Sequence, residues 1–115
     1  MHVRLGQDDD GTTVEVVAGD TIVVRLEENP TTGFRWAVDG ITGASVSVAG
    51  DDFQPAEDAG IGGGGWRTLT FSATQPGSSR IDVKRWRDWE GDRSIVQRFG
   101  VTVRVSGGDD RVMSG

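Results

Sequence analysis

Thr21-Ile22-Val23-Val24-Arg25-Leu26 decides the fold class. Ile22, Val24 and Leu26 fall on one side of an extended chain, and Thr21, Val23 and Arg25 on the other. This repeat of two marks a half-buried strand. The pattern recurs in both directions. Upstream, residues 12–17 are strand-like, although they alternate poorly. Downstream, Phe34, Trp36 and Val38 alternate with Arg35 and Ala37, and Val46 and Val48 form a short strand. Residues 53–56 read as a brief extension. Leu69, Phe71 and Ala73 share one face of 66–74, Ile81 and Val83 point inward from 79–86, and Phe99, Val101, Val103 and Val105 are in phase along 95–105. Polar and glycine-bearing turns at 7–11, 19–20, 39–43, 50–52 and 75–78 separate these runs. No segment of useful length carries a helical period.

The expected fold is therefore all-β, an immunoglobulin-like β-sandwich of about seven to eight strands. Composition agrees. Val supplies 15 of the 115 residues, and its stiff branched side chain packs well on a pleated surface. A chain this long buries about two-thirds of the surface its unfolded form exposes. One domain over 1–106 is expected, with a polar, loose tail over 107–115.

Several function classes drop out. There is no Cys, so disulfides, thiolate catalysis and cysteine-ligated metals are excluded. The one histidine is His2, which leaves little for acid–base catalysis or a His-rich metal site. Lys and Arg number 12 against 18 Asp and Glu, a net charge of −6, which argues against nucleic acid and anionic membranes as partners. No apolar run approaches the ~20 residues that span a bilayer. The acidic clusters Asp8-Asp9-Asp10, Asp51-Asp52 and Asp109-Asp110 lack the spacing of a calcium loop and read as solvated surface. No cofactor or metal is expected, and no enzyme. The first residues lack the apolar core of a signal peptide, so the chain reads as cytoplasmic, or as periplasmic or secreted if a leader was removed.

Up-and-down strands would place every second connection at the same end. Those connections are 27–33, 57–65 and 87–94, and they are the unusual ones. Asn29-Pro30-Thr31-Thr32-Gly33-Phe34 joins a proline that fixes φ to a glycine that permits a positive one. By spacing alone it reads as an ordinary rigid turn with two hydroxyls at its tip. Gly60-Ile61-Gly62-Gly63-Gly64-Gly65-Trp66 fits a flexible linker, or backbone meant to approach another surface closely. It matches a dinucleotide-binding fingerprint only formally, because a strand follows rather than a helix. Arg85-Trp86-Arg87-Asp88-Trp89-Glu90 concentrates two Trp and two Arg, the residue types that dominate binding hot spots. Trp86 or Trp36 is expected to fold back as core, and Trp89 less so.

Taken in order, Asn29 to Phe34, the Gly62-Gly63-Gly64-Gly65 run before Trp66-Arg67-Thr68-Leu69-Thr70-Phe71, and Arg87-Asp88-Trp89 resemble the chagasin-like inhibitors of papain-family cysteine peptidases. The likeness extends over roughly 13–105. In that family the third motif reads Arg-Pro-Trp, and here Asp88 stands at the proline. The resemblance implies an immunoglobulin-like sandwich and a reversible, competitive inhibitor inserting loops 29–34, 60–66 and 85–90 into an active-site cleft. Thr31 and Thr32 would lie nearest the catalytic Cys and His. The glycine loop, Gly62 to Gly65 with Trp66, would run along the non-prime wall. Arg87 and Trp89 would pack on the prime side. The implied partner is a papain- or cathepsin L-type peptidase, met by a monomer. Asp88 is expected to leave the third loop freer and the inhibition weaker or narrower than proline would. The alternative is an immunoglobulin-like adhesion or binding module that uses the same tip on a non-protease partner.

Overall fold

The computed structural model describes residues 1–56 and 64–107. Among these are eight strands: β1 (His2–Leu5), β2 (Thr13–Val17), β3 (Thr21–Glu28), β4 (Arg35–Thr42), β5 (Val46–Pro55), β6 (Gly65–Ala73), β7 (Gly77–Trp86) and β8 (Gln97–Ser106). They form two four-stranded sheets, ordered β1-β3-β6-β5 and β2-β8-β7-β4. The outer pairs β1–β3 and β2–β8 are parallel, and the remaining pairs are antiparallel. The helical content of the described residues is confined to single 3-10 turns at Gln7–Asp9, Pro30–Thr32, Asp88–Glu90 and Asp92–Ser94.

The alternation of the sequence becomes the core. Ile22, Val24, Leu26, Leu69 and Phe71 are fully buried from one sheet, and Ile81, Val101 and Val103 from the other. Trp36, Val83 and Phe99 join them. Fully burying each such aliphatic or aromatic side chain stabilises the fold by about 1.5–3 kcal/mol. Trp36 is the tryptophan that folds inward, whereas Trp89 is 67% exposed.

The strands run further than the sequence predicts. Residues 39–43 are expected to turn, yet β4 continues to Thr42 because a bulge at Asp39, between Val38 and Gly40, absorbs the extra residue. A second bulge, between Val48 and Gly50, carries β5 through Gly50-Asp51-Asp52, the expected interruption. Phe34 precedes its strand, and β8 starts at Gln97 after the Asp92–Ser94 turn. β1 has no predicted counterpart. It adds a short edge to β3 and sends Leu5 into the core.

Candidate functional site

β3, β5 and β7 all run toward the same end of the sandwich, so the connections that follow them gather there, as the up-and-down argument requires.

The first connection closes on itself. Asn29 is extended, which its position before Pro30 favours. Its Oδ1 accepts the Thr31 amide at 3.0 Å and the Thr31 hydroxyl at 2.7 Å. The Thr32 hydroxyl donates to the Asn29 carbonyl at 2.8 Å. Gly33 ends the turn with φ +80°. A β-carbon there would come within 2.7 Å of Trp89 Cη2, so the glycine supplies both the positive φ and the space. Thr31 and Thr32 stay exposed above this turn.

A buried acid supports the turn from below. Glu28 is 3% exposed. Its Oε1 accepts the Trp36 amide at 2.6 Å and Arg67 Nε at 3.2 Å, and its Oε2 accepts Arg67 Nη2 at 2.7 Å. Trp36 Nε1 donates to the Glu27 carbonyl at 2.9 Å. Burial works against the Arg67 charge, but its hydrogen bonds to Glu28 and Asp51 outweigh burial and hold the guanidinium above its ordinary range. Glu28 escapes the sequence reading, although a signal exists. It continues the inward phase of Ile22, Val24 and Leu26 by one more step.

The third connection is braced rather than loose. Arg87 donates from Nε and Nη2 to the Thr32 carbonyl at 3.2 and 3.0 Å. Its guanidinium carbon lies 4.3 Å from the centre of the Phe34 ring. The hydroxyl of buried Ser94 accepts the Arg87 amide at 2.9 Å and reaches the Gly91 carbonyl at 2.7 Å, which cinches the loop shut. Lys84 reaches Asp92 at 3.4 Å and Asp39 at 3.1 Å and sits 3.5 Å from the centre of the Trp86 ring. The Lys84 hydrogen bond holds the Asp39 carboxyl below its ordinary range. Asp88 opens the Asp88–Glu90 turn and is exposed, and its neighbour Trp89 projects beside Gly33.

Of the glycine loop, Gly62 and Gly63 lie outside the described residues. Gly64 and Gly65 show why side chains are excluded at its end. A β-carbon on Gly64 would stand 3.3 Å from the Glu28 carbonyl, and one on Gly65 would run into the Gln54 carbonyl. Trp66 is placed differently from the other loop residues. It turns onto the outer sheet face, half-buried, with Arg25 4.4 Å over its ring. Between the first connection and Gly64 lies a cavity of about 320 Å³ lined by Gln7, Glu27, Glu28, Asn29, Gly64 and Arg85. Arg85 Nε is buried there without a hydrogen-bond partner among the described residues.

Two of the acidic clusters serve backbone amides and an arginine: Asp9 accepts from Gly6, Asp10 from Gly100, and Asp51 from Arg67; Asp109-Asp110 lies outside the described residues.

A model of the chagasin family of peptidase inhibitors, I42, matches residues 15–103. Amoebiasin-1 of Entamoeba histolytica is 34% identical over 105 residues, covering 86% of this chain and 99% of its own. Chagasin of Trypanosoma cruzi is 26% identical over 110 residues, covering 92% of this chain and 100% of its own. The crystal structure of a cysteine protease inhibitor from Entamoeba histolytica superposes with a TM-score of 0.78 at 21% identity, covering 90% of this chain and 95% of the other.

Proposed function

Because this chain belongs to the chagasin family of peptidase inhibitors, we propose that its three-loop end is a wedge that closes the cleft of a papain-like cysteine peptidase, with its first and third loops set before binding. Family membership makes it an inhibitor rather than an enzyme. One observation carries the reading furthest. Thr31 and Thr32 stand exposed on a turn that is hydrogen-bonded to itself and clamped by Arg87 from a loop 55 residues away. A segment fixed before binding loses little further entropy when it docks.

The proposed roles divide among the loops. The Pro30–Thr32 turn enters the cleft and covers the catalytic Cys and His. Gly64 offers bare backbone to one wall, whereas Gly65 is buried between β3 and β5. Trp89, exposed and braced against Gly33, packs on the other wall as an aromatic anchor. Arg87 acts through the turn: its nitrogens are engaged with Thr32 and Glu90, so it positions the turn instead of reaching the enzyme. Inhibition is reversible and competitive, because nothing on the wedge forms a covalent bond with the peptidase.

Titration against active papain and a cathepsin L-type peptidase, with trypsin as control, tests this directly. Hydrolysis of a fluorogenic peptide by the two cysteine peptidases should stop near stoichiometric inhibitor while trypsin is spared. Trp89→Ala should weaken inhibition at least tenfold and leave the melting temperature unchanged, since the side chain is 67% exposed. Full activity of both cysteine peptidases at micromolar inhibitor would overturn the proposal.

A further inference from the structure

The outer face of the β1-β3-β6-β5 sheet carries a groove of about 560 Å³ beside the wedge. Arg4, Val23, Arg25, Gln54, Trp66 and Thr68 line it. Its floor is the Trp66 ring, under the Arg25 guanidinium. The chain carries net charge −6, yet the lining holds Arg4 and Arg25 and no acid, and neither arginine forms an ion pair among the described residues. Exposed Glu27 and Asp52, on the same face by strand alternation, pair with neither. The groove is a local inversion of the molecule's charge.

Its position ties it to the wedge. Trp66 directly follows Gly65, whose register partner is Glu28 at the rim. Arg25 pairs with Thr68, three steps from that rim, or about 10 Å. Arg4 pairs with Val23, five steps from it, or about 17 Å. A protease–inhibitor interface covers about 800 Å² on each partner, a disc of about 16 Å radius. The groove therefore starts inside such a footprint and ends at its margin. Arg4 and Arg25 sit on adjacent strands two positions out of step, about 8 Å apart by strand geometry. Same-side residues of an extended peptide repeat at about 7 Å.

We propose that this groove is an exosite that seats an extended acidic segment of the target peptidase beside the cleft. Carboxylates two residues apart would meet Arg4 and Arg25, the latter held over the Trp66 ring. The proposal rests on the wedge reading for its partner, and its chemistry is testable apart from it. The intact protein is titrated at low ionic strength with the free peptide Glu-Ser-Glu-Ser-Glu while the Trp66 indole N–H is followed by NMR. The signal should move saturably, return in 0.5 M salt, and stay still in Arg4→Glu/Arg25→Glu. The double variant Arg80→Glu/Arg104→Glu, the same charge change at exposed positions of β7 and β8 outside the groove, should behave as the parent. Against a cathepsin L-type peptidase, the Arg4/Arg25 double variant should associate about tenfold more slowly at low salt, and the charge-matched Arg80/Arg104 double variant should not. A Trp66 signal indifferent to the peptide overturns the exosite, as does one that answers only to a sulfated oligosaccharide. Failure of the parent to inhibit any cysteine peptidase would instead overturn the wedge.

Discussion

Gly33 is the residue on which two loops depend at once. Its φ of +80° is left-handed backbone that costs other residues about 1–2 kcal/mol. The space where a side chain would stand belongs to Trp89. Gly33→Ala should therefore lower unfolding free energy by about 1–2 kcal/mol in a denaturant titration. It should weaken peptidase inhibition more than tenfold, because the turn and the tryptophan shift together. Unchanged inhibition would mean that the wedge tolerates misplacement of Trp89. Gly33 was legible in the sequence as a turn former, but its contact with Trp89 was not, because the two lie 56 positions apart. Glu28 was legible in principle: the inward phase of β3 reaches it. An acid at an inward position is ordinarily read as the end of a strand, and Arg67, paired with Leu26 across β3–β6, together with the Trp36 amide, explains why it is buried.

Among the elements, the third loop departs most from expectation. Aspartate in place of proline argued for a freer segment. The structure instead binds the loop at its base through Ser94 and at its flank through Arg87, neither of which a single-residue comparison reveals. Position 88 remains suited to proline. It opens a 3-10 turn, and Arg87 before it is already extended at φ −104° and ψ 112°. Asp88→Pro should thus fit without strain and stabilise by about 0.4–1 kcal/mol through the unfolded chain. Ki should tighten about two- to fivefold, read in the same peptidase titration; a weakened Ki would show that the Asp88 carboxylate itself contacts the enzyme. The strands carry a similar lesson. Long alternating runs such as β3 and β8 were plain in the sequence. β4 and β5 looked shorter than they are because bulges let polar residues continue a ladder. β1, with four residues, was too short for alternation to register.

At the scale of the whole molecule, one core serves every loop. Phe71 is fully buried at the centre of the β1-β3-β6-β5 sheet, paired with Ile22 on one side and Val48 on the other. Phe71→Ala should cost about 3–5 kcal/mol. Because a small domain of this kind unfolds as a unit, the melting temperature should fall by more than about 10 °C in a single transition. Well below that transition, Ki should match the parent, since Phe71 pairs with Ile22, six steps along β3 from Glu28 at the rim. A second transition, or a Ki that drifts at low temperature, would show that scaffold and tip are not independent. The architecture and the gathering of the three connections at one end were both readable from strand alternation and turn positions. The side-chain ties that make the end rigid were not, since they link residues through backbone carbonyls that carry no mark in a sequence.

The bond from Arg87 to the Thr32 carbonyl also limits how the wedge could be transplanted. A cyclic peptide copying residues 29–34, or the same six residues grafted onto a foreign hairpin, would keep the Asn29 hydrogen bonds and lose the guanidinium clamp, the Phe34 stack and the Trp89 wall. The portable unit is a discontinuous pair of loops with the two strand ends that hold them in register. A miniature inhibitor designed from this molecule has to carry both.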